Sequence, residues 1–113
     1  MALTGQNIEI YQGKDKIINV TITDSNGAAF NIASCTFTYV VYKPTSGVIF
    51  ITKTSASGIS VIDETNGIIE ITLLQADTQS LLGTYNHECE ITTASSEEDV
   101  IFTGYFKVFG SKT

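Results

Sequence analysis

From Tyr85 the chain alternates strictly. Tyr85, His87, Cys89 and Ile91 fall on one side, and Thr84, Asn86, Glu88 and Glu90 on the other. A period of two is the mark of a strand with one face buried. The same pattern recurs through most of the sequence and predicts seven further strands. Residues 7–12 put Ile8 and Ile10 on one face. Residues 16–23 turn Ile18, Val20 and Ile22 inward, against Asn19, Thr21 and Thr23. In 35–42, the most β-prone stretch, Cys35, Phe37, Tyr39 and Val41 share the more apolar face. Strands over 48–54 and 59–62 follow, then 68–73 with Ile69, Ile71 and Leu73 inward. The last strand, 100–109, puts Val100, Phe102, Gly104, Phe106 and Val108 on one face, and Ile101, Thr103, Tyr105, Lys107 and Phe109 on the other.

Between these runs stand turn signals. Gly13-Lys14-Asp15 turns the first strand into the second. Asp24-Ser25-Asn26-Gly27 can bond an Asx side chain to its own backbone, and Asp63 to Gly67 reads as a hairpin ending in Asn-Gly. Residues 28–34 are irregular and suit a crossing between sheets. Residues 74–82 are the one helical candidate, about two turns, with Asp77 or Thr78 as cap; that is too short to be stable alone. Eight strands, nearly all antiparallel, with one short helical turn predict an all-β, Ig-like antiparallel sandwich forming a single domain over 1–113. Leu82-Gly83-Thr84-Tyr85 fits the corner at which such folds return a tyrosine hydroxyl to the backbone. The strand after it should then lie mid-sheet.

Composition narrows the function. A chain of 113 residues with 42% hydrophobic residues is one folded domain. No apolar run approaches a membrane span and no basic-plus-apolar signal opens the chain, so Met1 reads as a cytosolic start. Six lysines, no arginine and 12 acidic residues give a net charge of -6. Such a surface repels polyanions, which argues against nucleic acid as a partner. No membrane and no small-molecule substrate are expected either.

Candidate chemistry is sparse. His87 is the one histidine, it falls on the inward face, and no Gly-x-Ser-x-Gly elbow accompanies it. A nucleophilic triad needs base, nucleophile and orienting acid together, so a structural role is expected. Cys35, Cys89 and His87 lack the Cys-x-x-Cys spacing of a zinc site. Asp24-x-Asn26-Gly27 lacks the glutamate that closes a calcium loop, and Asp63-Glu64 is better read as a turn. Glu97-Glu98-Asp99 reads as a solvated loop tip. The expectation is a non-enzyme with no cofactor and no metal. Its thiols should be free: the second strand has no cysteine for an antibody-type bridge, and Cys35 should fall nearer Ile91 than Cys89.

The final strand carries apolar residues on the side that should face water. Either the N-terminal segment covers them or another protein does. Leu3 and Ile8 offer little area for this, which makes Ile101, Tyr105 and Phe109 a candidate protein interface, expected to join a neighbouring subunit.

The order of signals also resembles a known family. Tyr11-Gln12-Gly13-Lys14-Asp15 leads into a strand ending Thr23-Asp24-Ser25-Asn26-Gly27, and a Phe-x-Tyr strand follows. Then come Asp63…Asn66-Gly67, an Ile-x-Ile-x-Leu strand, Ala76-Asp77-Thr78…Leu82-Gly83-Thr84-Tyr85, and a Gly-x-Phe-x-Val ending at Gly104, Phe106 and Val108. This resembles the N-terminal Ig-like domain of bacteriophage baseplate upper proteins and similar small virion proteins. The resemblance implies a structural protein of a tail, baseplate or capsid surface, made in the host cytoplasm and assembled into the virion. Its partners would be other virion proteins, often with homo-oligomerisation. The alternative is an Ig-like cell-surface adhesion or binding module. The chain ends where baseplate proteins continue into a coiled coil or receptor-binding module.

Overall fold

A computed structural model describes residues 7–24 and 26–110. Eight strands and one helical turn follow in order: β1 (Ile8–Tyr11), β2 (Lys16–Thr21), β3 (Thr36–Tyr42), β4 (Ile49–Thr54), β5 (Ile59–Asp63), β6 (Ile68–Leu73), α1 (Gln75–Thr78), β7 (Gly83–Thr92) and β8 (Glu98–Phe109). They form a five-stranded sheet, β1-β8-β7-β3-β4, and a three-stranded sheet, β2-β6-β5. The two sheets make a sandwich with the Ig-like strand arrangement, as the alternation predicts. Strand β7 lies mid-sheet between β8 and β3.

The inward faces meet in one core. Ile18, Val20 and Ile22 come from the second strand's run, Phe37, Tyr39 and Val41 from β3, Ile69, Ile71 and Leu73 from β6, and Tyr85, Cys89 and Ile91 from β7. Every one is buried. Fully burying a side chain of this kind contributes roughly 1.5–3 kcal/mol, so the two-residue period is what chiefly selects this pairing of sheets.

The β1–β2 connection departs from a simple turn between neighbours. Strand β1 pairs with β8 in parallel, Ile8 beside Phe106 and Tyr11 beside Phe109, whereas β2 pairs with β6. The chain therefore changes sheets at Gly13. This crossing is tied to the α1 connection: the Gly13 N–H donates to Thr78 Oγ1 at 3.0 Å, Gln12 Nε2 donates to the Leu81 carbonyl at 3.0 Å, and the Gln75 N–H donates to Asp15 Oδ1 at 3.0 Å. Thr78 is thus a buried acceptor and not a cap. Asp77 does the capping from within the turn, its carboxylate accepting the Leu74 N–H at 2.7 Å. The corner that follows forms as expected: the Leu82 N–H donates to Tyr85 Oη at 3.2 Å, and that hydroxyl faces the Leu82 carbonyl at 3.3 Å.

Three strands carry an irregularity of register. Val41 faces Ile51 while Tyr42 faces Ile49, which leaves Phe50 as an extra residue. Cys89 faces Phe102 while Glu90 faces Val100, which leaves Ile101 extra. Val61 and Asp63 face successive β6 residues, which leaves Ile62 extra. Each is a β-bulge, and a bulge shifts the alternation downstream of it.

Gly67 closes the β5–β6 hairpin at φ +69, and a Cβ there would lie 2.5 Å from the Phe30 carbonyl oxygen and 2.7 Å from that of Ile22. Gly27, at φ +82, has nothing within 4 Å of that position. Gly27→Ala should therefore cost only the left-handed backbone penalty, about 1–2 kcal/mol. Gly67→Ala should cost clearly more, because main chain must also move. Urea denaturation of both variants checks the ranking, and equal losses would refute it.

Candidate functional site

Two places gather side chains with something to do. The first is the centre of the core. His87 projects inward from β7 and is fully buried. An imidazole in an apolar core needs a hydrogen-bond partner, and β3 supplies one: Tyr39 Oη lies 2.8 Å from His87 Nδ1, with the donor set by the imidazole tautomer. Aromatic rings close around the imidazole, Phe102 at 5.2 Å, Tyr39 at 5.6 Å and Phe106 at 5.9 Å between centroids. Beside it, along the β1–β2 side of the sandwich, lies a cleft of about 260 Å³ bounded by Asn7, Ile8, Ile18, Asn19, Val20, Thr21, His87 and Phe102.

This is not a catalytic arrangement. His87 Nδ1 is engaged by a phenol, and the nearest candidate nucleophile on its strand is held in its neutral form. Burial, reinforced by Glu88 and Glu90, pushes the Cys89 thiol from 9.0 up to about 12. Burial also raises the Tyr39 phenol well above 10.0, with Cys89 adding to it. Among the described residues no three His, Cys, Asp or Glu side chains stand close enough to share a metal ion. Cys35 and Cys89 are both free thiols. Cys89 faces Tyr39 across the ladder, while Thr36 faces Thr92, so Cys35 lies beyond the end of that ladder, four residues along the chain from the position that faces Cys89. Asp24 spends its carboxylate on the N–H groups of Asn26 and Ala28, and Asp63 on Asn66, whose hydrogen bonds lower its pKa. Both are turn devices.

The second place is the outer face of the five-stranded sheet, and here the sequence-based interface is corrected in one member. Ile101 is 0% exposed. The bulge turns it inward beside Phe102, so it belongs to the core and not to a surface. Tyr105 is 39% exposed, and its N–H donates to Asn7 Oδ1 at 3.0 Å. Phe109 is half-buried against Tyr11 of β1, 5.6 Å between ring centroids, with Lys107 Nζ 5.2 Å from its centroid. The N-terminal strand thus covers the edge of β8 and part of Phe109 but leaves Tyr105 open. The register adds residues that sequence reasoning missed: Tyr105 faces Asn86, Asn86 faces Tyr42, and Tyr42 faces Ile49. Tyr11, at 60% exposure, joins them through Phe109. The run Val100-Ile101-Phe102 held the signal for the bulge, since three consecutive apolar residues cannot all lie on one face of an alternating strand.

No family model matches the chain, and no curated protein matches it. Among solved structures it is similar to CopC from Methylosinus trichosporium OB3b, with a TM-score of 0.53 over 94% of this chain and 87% of that one, at 9% identity. At that identity the likeness is one of fold: an all-β sandwich. The expectation of a bacteriophage virion structural protein, with an Ig-like adhesion module as its alternative, is corrected by this result. The motifs behind it (the Tyr85 corner, the Asp24 loop, Gly67 under Ile22 and Phe30) are devices that build the sandwich. The fold they build is also that of CopC, so they identify an architecture and not a viral role.

Two outcomes follow for the core. Tyr39→Phe leaves His87 Nδ1 without this partner and should cost about 1–3 kcal/mol in chemical denaturation; a loss under 0.5 kcal/mol would show that the bond is dispensable. The second concerns alkaline pH. Cys89 and Tyr39 hold their protons to higher pH folded than unfolded, so stability is intact below pH 9 and falls as pH rises toward 12. Each group contributes a slope of up to about 1.4 kcal/mol per pH unit. Cys89→Ala should flatten the fall between pH 9 and 10.5 in denaturation series, and an unchanged slope would refute the assignment.

Proposed function

We propose that the chain is a non-enzymatic β-sandwich domain that works by homotypic association, through one half of the outer face of its five-stranded sheet. The observation behind this is how that face is sorted. One half presents Tyr11, Tyr105, Tyr42, Asn86, Ile49 and Phe109, with Glu9 and Lys107 as register neighbours of opposite charge. The other half carries Glu88, Glu90 and Glu98 on outward positions. A chain of net charge -6 repels its own copies. Two copies can meet only through a patch free of that excess, and the tyrosine half is such a patch. Tyrosines suit it because the ring gives apolar contact while the hydroxyl stays hydrated in the free monomer or bonded in the complex.

Light scattering coupled to size exclusion tests this. Wild type should be a dimer or larger at about 100 μM, and Tyr105→Glu should be monomeric with stability within about 0.5 kcal/mol of wild type. Glu88→Gln, in the acidic half, should associate as wild type does. A monomeric wild type at that concentration would overturn the proposal.

A further inference from the structure

The two ends of the sandwich differ in chemistry. One end is built from three connections: the β1–β2 crossing, the β3–β4 turn, and α1 with the tyrosine corner after it. The crossing is bonded to the α1 segment through Gly13, Gln12 and Asp15. The β3–β4 turn meets the corner, where Lys43 Nζ lies 4.4 Å from the Tyr85 ring centroid and the Phe50 ring packs on the same tyrosine at 5.4 Å. Ile17, Val48, Phe50, Leu74 and Leu82 are all exposed at this end. Among the described residues, Val61 and Ile62 are the only exposed large hydrophobics outside this half of the molecule. Charge is sorted along the same axis. Lys14 lies in the crossing, Lys16 opens β2, Lys43 follows β3, Lys107 faces Thr84, and Lys53 reaches Asp77 of α1 at 2.8 Å. Lys53 thus neutralises Asp77, and Asp15 accepts the Gln75 N–H, so Lys14, Lys16 and Lys43 set the sign of this end. The opposite end carries Asp24, Asp63, Glu64, Glu97, Glu98 and Asp99 and no lysine among its described residues.

We propose that the lysine end docks on an anionic lipid surface, with the sandwich standing end-on. The exposed aliphatic and aromatic side chains enter the boundary between headgroups and acyl chains, while the lysine ammonium groups meet lipid phosphates and carboxylates. Those apolar side chains stand on separate connections, which suits a fluid interface that conforms to them. The acidic end is repelled by the same surface, and that repulsion fixes the orientation. A net charge of -6, taken as a uniform property, argues against an anionic membrane. Its distribution removes the objection: the ten-residue β7 separates the two ends by about 30 Å, whereas salt screens exposed charges beyond about 8 Å under physiological conditions. The contact is one of surface only, since among the described residues no helix is long and apolar enough to cross a membrane.

Sedimentation of the full chain with large unilamellar vesicles tests this. Vesicles of phosphatidylcholine with about 30% phosphatidylserine should bind the protein about tenfold more tightly than phosphatidylcholine alone, and raising the salt to about 0.5 M should weaken that binding severalfold. Leu82→Glu and Val48→Glu, both at exposed positions outside the core, should each weaken it severalfold. Val61→Glu makes the same kind of change on β5, away from this end, and should bind as wild type does. Tyr105→Glu, on the association face, should bind too, so that the two proposals fail separately. Absence of binding to the phosphatidylserine vesicles, or unchanged binding in both Leu82→Glu and Val48→Glu, would overturn the proposal. So would a loss as large as theirs in Val61→Glu or Tyr105→Glu. Binding to soluble poly-glutamate with none to vesicles would also overturn it, and would point to an acidic protein instead.

Discussion

A buried imidazole is the constraint on which this sandwich turns. His87 stands at the middle of β7, on the face packed toward the second sheet, where an unbonded polar group would be expensive. Tyr39 meets it at 2.8 Å from the adjacent strand. The pair fixes more than its own energy. If β7 slipped by one residue against its neighbours, His87 would reach solvent, but Asn86, Glu88 and Glu90 would turn into the core together. Two carboxylates inside would far outweigh one histidine released. The register of β3, β7 and β8 is therefore set by the charged residues that must stay out, and the Tyr39–His87 bond makes that register tolerable within.

The alternation of polar and apolar residues was enough to read the strands, the inward faces and the tyrosine corner, because each depends on neighbours a few residues apart. Two features escaped it. One was the parallel placement of β1 beside β8, a partnership of segments almost a hundred residues apart in sequence that no local pattern encodes. The other was the set of bulges. Phe50 follows Val48-Ile49, Ile101 lies between Val100 and Phe102, and Ile62 follows Val61, so each extra residue falls in an apolar run. Such runs are where a strict period of two cannot satisfy both faces. At Ile101 the bulge lets two consecutive side chains enter the core, and for that reason one member of the sequence-based interface proved to be interior while Tyr105 stayed outside.

The candidate sites were less legible than the fold, for a physical reason. Turn glycines, Asx loops and the tyrosine corner solve problems of chain geometry that every sandwich of this type must solve. Their order along the sequence can therefore resemble that of proteins with other roles, and a structure at 9% identity shares the architecture. What distinguishes this chain is held elsewhere: in which half of a sheet face lacks net charge, and in the Tyr39–His87 pair at the centre of the core. Both arise from residues on different strands, and they become visible only once the register is known.

Strand β1 belongs to both places. Ile8 and Asn7 bound the cleft, while Tyr11 extends the aromatic surface through Phe109. The strand is four residues long, and it is held by its parallel ladder to β8 and by Asn7 accepting the Tyr105 N–H. That last bond ties Asn7 to the backbone of Tyr105, the one tyrosine of β8. A short edge strand with few bonds is the sort of element that opens at low energetic cost. Association over Tyr105 and Tyr11 would hold that strand from its outer side. Whatever holds β1 in place therefore acts on the association face through its attachment to β8.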